Sequence, residues 1–199
     1  METPYRADNL IASPLEHYSP LFAAADPAEM AERTGTPLEG STFHLTVLGS
    51  EKTVTHPDFA DEGWNDRWRI LFMRFLLEGK NPGTPGGYKT YREMPWGETY
   101  EAKFRQRCIQ RLAGTYGFRP QVFQSACEAM GAVPVSGSGI GYEFTFLPGL
   151  FVRFILWEGD EEFPASAQIL FSDNFPQAFS AEDRVVVCEY ILGAMKAFS

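Results

Sequence analysis

Residues 142–172 read YEFTFLPGLFVRFILWEGDEEFPASAQILFS, and this stretch decides the fold class. Apolar side chains recur at every second position over 142–147, 150–157 and 166–172. A period of two is that of a β-strand. Pro148-Gly149 joins the first pair of strands, and the acidic run Glu158 to Glu162 joins the second. Connections this short imply antiparallel pairing, because parallel neighbours need a long crossover.

On either side of this meander the period changes to that of a helix. Ser180 followed by Asp183 resembles a capping box, and Val187, Cys188, Ile191, Leu192, Met195 and Phe198 supply the apolar face of a last helix. Upstream, Pro120 opens a helix that turns Val122, Phe123, Ala126, Cys127 and Met130 inward and stops at Gly131. Before it, a helix near 99–113 buries Tyr100, Phe104, Cys108 and Leu112 and carries a basic edge of Lys103, Arg107 and Arg111. The strongest helix is 62–78: Trp64, Trp68, Leu71, Phe72, Phe75 and Leu76 repeat at helical spacing, with Ile70, Met73 and Leu77 as a second stripe. Only Arg67, Arg74 and Glu78 form a polar edge, and Gly79 closes it. A helix apolar nearly all round belongs inside the core.

Nearer the N-terminus, Phe43, Leu45 and Val47 mark a strand, with a second near 52–56. Asp26-Pro27 starts a helix near 27–33, and residues 1–25 read as an N-terminal arm with a short helix from Pro14 to Ala24. The order ααββαααβββα predicts one α+β domain over 26–199, an antiparallel sheet packed by helices with the helix at about 62–78 buried at its centre.

About a quarter of the 199 residues are Leu, Ile, Val or Phe, above the roughly 20% below which disorder is the default. No apolar run reaches the roughly 18 residues of a membrane span, and METPYRADNL has no signal-peptide core, so neither membrane nor export is expected. The net charge of −9 argues against a nucleic-acid partner. It is unevenly placed: residues 80–119 carry 8 basic and 3 acidic side chains, whereas acids dominate on both flanks. Cys108, Cys127 and Cys188 have no CxxC spacing, so they build no zinc or iron–sulfur site and read as buried thiols in a reducing cytoplasm.

Motifs of catalysis are sparse. There is no GxSxG, and His17, His44 and His56 are the only histidines; His44 reads as a satisfied sheet histidine. The GSGIG run at 137–141 precedes a strand rather than a helix, so it is no dinucleotide site, and no cofactor is expected. Two constellations remain. The Gly/Pro-rich loop 80–98 carries Lys89, Arg92 and Trp96, which with Trp157 and the rest of the basic segment 80–119 make a surface for a small anion or an acidic protein partner. The acidic turn offers Asp160, Glu161 and Glu162, with Asp173 or Glu182 to complete a shell of oxygen ligands for a divalent cation or to act in acid–base chemistry. Trp157 and Phe163 bracket that turn and would fix it against an apolar surface.

Leu147-Pro148, the run Trp157-Glu158-Gly159-Asp160-Glu161-Glu162-Phe163-Pro164, Ile169-Leu170-Phe171 and Glu182-Asp183, with Tyr91-Arg92-Glu93-Met94-Pro95 upstream, resemble a family of uncharacterised domains about as long as this chain. The resemblance implies an anaerobic bacterium or archaeon as host, and some members follow an iron–sulfur-cluster domain whose cysteine motif this chain lacks. It implies no activity and supplies no catalytic residues. The reading is therefore a cytoplasmic, non-enzymatic accessory or small-ligand-binding domain of anaerobic metabolism. The alternative is a metal-dependent or acid–base enzyme built on the acidic turn.

Overall fold

The computed structural model describes residues 13–61 and 63–198. Two helices with proline in their first turn come first, α1 (Pro14–Ala24) and α2 (Pro27–Thr34). Proline suits that position because its missing N–H would be unpaired there anyway. Tyr18 and Phe22 of α1 are buried, so this part of the expected arm packs into the core. A four-stranded antiparallel sheet follows in the order β1 (Leu38–Glu39), β2 (Thr42–Val47), β3 (Ser50–Thr55), β4 (Ala60–Asp61). Phe43, Leu45 and Val47 point inward as their alternation dictates, and His44 Nδ1 lies 2.8 Å from Glu51 Oε1 across the strand pair.

Helix α3 (Asp66–Glu78) is the central element. It starts later than the apolar spacing predicts, because Asn65 caps it by accepting from Trp68 N at 3.2 Å. Trp64 stays outside the helix, held by Asp61, and stacks on Phe72 with centroids 4.4 Å apart. Phe72 in turn faces Phe146 and Tyr190, each at 6.0 Å. Arg74 is not on a wet edge: its side chain is buried, for a reason given below. Gly79 has φ −68° and is no left-handed cap; a Cβ there would meet Phe75 O at 2.6 Å and Ala178 O at 3.1 Å, so close chain approach requires the glycine.

The segment expected as one long loop contains β5 (Tyr88–Thr90) and a 3₁₀ turn, Tyr91–Glu93. A continuous helical run then comprises α4 (Gly97–Phe104), a π turn (Arg105–Ile109) and α5 (Gln110–Tyr116). The sequence held the cause. Tyr100, Phe104, Cys108, Leu112 and Tyr116 are all buried at a strict spacing of four, which exceeds the 3.6 residues of an α-helical turn. One widened turn, with Gln110 N donating to Arg105 O, keeps all five on one side.

Helix α6 (Pro120–Ala129) leads into β6 (Val133–Val135), β7 (Ile140–Leu147), β8 (Leu150–Trp157) and β9 (Ser166–Ser172). The large sheet is antiparallel throughout, in the order β5-β9-β8-β7-β6. Its inner face, with Tyr142, Phe144, Phe146, Val152, Phe154, Leu156, Ile169 and Phe171, is buried. Helix α7 (Ala181–Met195) completes the core; Phe198 lies past its end and is half exposed. The architecture is α+β, with α3 buried as expected. All three cysteines are buried. Among the described residues no helix is long and apolar enough to cross a membrane.

Replacing Phe72 by Ala should cost about 3–5 kcal/mol in a urea melt, because it empties the contact between α3, Trp64 and the large sheet; a cost under about 1 kcal/mol would mean that the cavity collapses freely. A second expectation concerns Tyr88, whose phenol donates to Glu143 at 2.5 Å. Burial, then the Glu143 carboxylate, push its pKa up to about 12. A raised folded-state pKa means that the stabilisation is complete below the unfolded value near 10 and is lost as pH rises through the folded one. The phenolate absorbance that disappears in Tyr88→Phe should therefore titrate near 12 and not near 10.

Candidate functional site

The first turn of α7 gathers chain from four places. Its capping box is as the sequence predicts: Asp183 N donates to Ser180 Oγ at 3.3 Å and Ser180 N to Asp183 Oδ2 at 3.1 Å. Arg74 reaches this cap from α3, donating from Nη2 to Ser180 Oγ at 3.1 Å and lying 3.3 Å from Asp183 Oδ2. A guanidinium without water needs such acceptors, which is why Arg74 is buried. Arg184, also buried, donates to Phe179 O at 3.2 Å and to Pro95 O at 2.6 Å. It lies over the Tyr91 ring, whose hydroxyl donates to Ala181 O at 2.7 Å. Loss of hydration lowers the Arg184 pKa to about 10, and burial pushes the Tyr91 phenol upward. The Tyr91 to Pro95 motif is thereby locked onto the Glu182-Asp183 motif.

A cleft of about 400 Å³ opens beside this turn, between α3, α7 and the π turn. Its charged lining is Arg67, Arg74 and Arg107 with Glu182 and Asp183, and Pro14, Ile70, Leu71 and Val186 form an apolar wall. Behind the arginines stands Glu189, nearly buried. It accepts from Arg107 Nε at 2.8 Å and Nη2 at 2.6 Å, and from Arg67 Nη1 at 2.8 Å. These hydrogen bonds raise the Arg107 pKa and fix the fork in one orientation. The π turn carries Arg107, so the widened turn that keeps the apolar stripe in register also sets this arginine toward α7. Two of the three arginines thus have their position fixed by one carboxylate, while their outer faces reach the cleft.

The residues expected from sequence are distributed differently. Lys89 lies exposed on β5, Arg92 is exposed and 3.3 Å from Glu98, and Trp96 is 43% exposed at the start of α4. Trp157 is not with them: it pairs with Ser166, whereas Lys89 pairs with Phe171, which is about 16 Å further along β9. The acidic turn is fixed by its own backbone chemistry. Asp160 accepts from Glu162 N at 2.9 Å and from Phe163 N at 2.7 Å, which spends one of its carboxylate oxygens as a turn cap. Gly159 N donates to Gly117 O at 3.1 Å, with Phe118 packed over Gly159. Phe163 is 67% exposed and anchors nothing apolar, contrary to the expectation. Asp173 lies at the far end of β9, about 23 Å from the turn, where Oδ1 accepts from Gly86 N at 2.9 Å and holds the Gly/Pro loop. Among the described residues no three His, Cys, Asp or Glu side chains are grouped to hold a metal ion.

The cleft residues are visible in the sequence only as two separate edges, Arg67 and Arg74 with Glu78, and Arg107 with Lys103 and Arg111 in the basic segment expected to bind an anion. The signal that joins them is the set of acids on the last helix, Glu182, Asp183 and Glu189, of which Asp183 and Glu189 are buried and need basic partners.

The two kinds of arginine should separate in stability. Arg74→Leu strands a buried carboxylate and should cost about 3–5 kcal/mol. Arg67→Ala removes a half-exposed partner and should cost about 0–1 kcal/mol, with both read from urea melts. Equal costs would contradict the assignment of Arg74 to structure and Arg67 to the cleft.

No curated protein and no solved structure matches the chain. One family model does, over residues 26–194, from the start of α2 almost to the end of α7. The match covers the core apart from Tyr18, Phe22 and Met195, the cleft apart from Pro14, and the acidic turn, and the chain therefore belongs to the family described as a domain of unknown function, DUF3786.

Proposed function

We propose that this chain is a non-enzymatic small-ligand-binding domain, and that its ligand is a small organic anion held in the arginine cleft. The observation that carries this is the convergence of Arg67, Arg74 and Arg107 on one cleft of about 400 Å³. Pockets for small molecules are of this size, mostly apolar, with a few placed polar groups. Arginine forks match carboxylate and phosphate geometry, and the apolar wall favours a ligand with a hydrocarbon body over a bare inorganic ion. Glu182, Asp183 and Glu189 balance the formal charge of the three arginines, so affinity rests on directed hydrogen bonds from positioned donors rather than on net charge. An accessory role in the cytoplasm of an anaerobe, the setting implied by the resemblance, belongs to the same proposal. So does the displacement of the binding surface from Lys89, Arg92, Trp96 and Trp157 to the cleft.

Thermal melts with phosphate, acetate, hexanoate and phenylacetate test this. A ligand of the native state raises the melting temperature by mass action. The shift should be largest for the carboxylates with hydrocarbon bodies. Arg67→Ala and Arg107→Ala should each weaken binding about tenfold or more, the equivalent of one charged hydrogen bond. The double variant Lys89→Ala with Arg92→Ala should bind as the parent does. No shift with any of the four probes would overturn the proposal. Loss of binding in the Lys89/Arg92 variant alone would return the site to the exposed loop.

A further inference from the structure

We propose that the open face of the five-stranded sheet is the interface of a homodimer, covered by a second copy of this chain. The face lies outside the arginine cleft. Its residues follow from register: Val133 beside Glu143, Glu143 beside Arg153 and Arg153 beside Leu170, with Val135, Phe151, Ile155 and Trp157 as further apolar positions and Tyr88, Thr90, Gly141, Thr145, Ser166, Gln168 and Ser172 as the small or polar ones. An antiparallel sheet with one wet face normally alternates apolar inside with polar outside. Here β8 turns Phe151, Ile155 and Trp157 outward while Leu150, Val152, Phe154 and Leu156 fill the core, so the strand is apolar on both sides. The helices meet this sheet on its inner side, through Phe104 to Phe171, Phe123 to Tyr142 and Phe179 to Phe146. On the outer side Val133 is 61% exposed, and Phe151, Ile155, Trp157 and Leu170 are each partly exposed, Ile155 and Trp157 lying against Gly139 of the loop before β7.

The occupant follows from charge and area. Among the strand positions that share this face, Glu143 and Arg153 alone are charged, and they pair at 2.7 Å. The face is therefore neutral on a chain of net charge −9. A basic partner would gain nothing there, whereas a second acidic copy meets no local repulsion. Three strands of seven or eight residues flanked by two of three residues project about 450 Å² per copy. Two such faces bury about 900 Å² in projection and more in accessible area, close to the ~1,000 Å² lower limit of a specific interface. The side chains are also held in place before any contact. Tyr88 lies across the face with the Arg153 guanidinium 3.5 Å from its ring centroid, and Trp157 Nε1 donates to Ser138 Oγ at 3.3 Å. Little further order has to be imposed on association.

Sedimentation velocity of the full chain at micromolar concentration tests the proposal. The parent should sediment at twice the 22.4 kDa chain mass. Folded Ile155→Arg should fall twofold to the monomer mass, while Phe118→Arg, an exposed aromatic off this face, should remain dimeric. A monomeric parent would overturn the proposal, and so would a dimer that persists in folded Ile155→Arg. Should Ile155→Arg fail to show a native circular dichroism spectrum, Val133→Glu, placed on an exposed side chain, takes its place with the same two outcomes.

Discussion

Two guanidiniums out of water at the start of α7 constrain most of what surrounds them. Arg184 has no carboxylate within ion-pair distance among the described residues, so its charge is solvated by the carbonyls of Phe179 and Pro95 and by the face of Tyr91. Those groups come from different parts of the chain, and they solvate the charge only while the Tyr91 to Pro95 turn is seated. Arg74 imposes the same requirement from the other side, through Ser180 and Asp183. Burying a charge is costly unless its hydrogen bonds are complete. The arrangement is therefore nearly all-or-none, and α3, the turn before α4 and the last helix are fixed relative to one another by it. The cleft exists at this junction because three elements that must meet in order to solvate two arginines leave a gap beside them.

The fold was legible wherever one face of an element decides its burial. The strands at 142–147, 150–157 and 166–172 and the helix that ends at Glu78 follow from periodicity alone. Periodicity failed where an element is too short to show it. β5 and β6 have three residues each, and β6 contains Pro134. It failed in a second way at Trp64 and Asn65: an apolar residue in helical phase lies outside the helix because the capping side chain, not the apolar pattern, sets where the helix begins.

The candidate site was less legible, and for a different reason. Charged residues are read one element at a time, and nothing on a single helix shows which partner an arginine edge will meet. Whether Arg107 is surface or site depends on Glu189, 82 positions away, and on a widened turn that rotates it. The spacing of four from Tyr100 to Tyr116 was present in the sequence as evidence of that widened turn. Conversely, the acidic turn looked functional because its acids are adjacent, but adjacency in a hairpin tip divides side chains between directions, and Asp160 is used by the turn itself.

The large sheet ends on both sides in strands of three residues, one bearing Lys89 and the other interrupted by Pro134, which has no N–H to offer. Long, regular sheet margins recruit further strands without limit, and proteins blunt them with short strands, lysine and proline. This chain is blunted in that way along both margins, while its three long strands are flanked on each side. Association of this sheet is thus steered away from open-ended strand addition, the geometry of fibrils. What is left to it is stacking of broad faces, which is complete once two have met. A protein can carry that much apolar surface and stay dispersed, because the direction in which it could polymerise is the one in which it has least to offer.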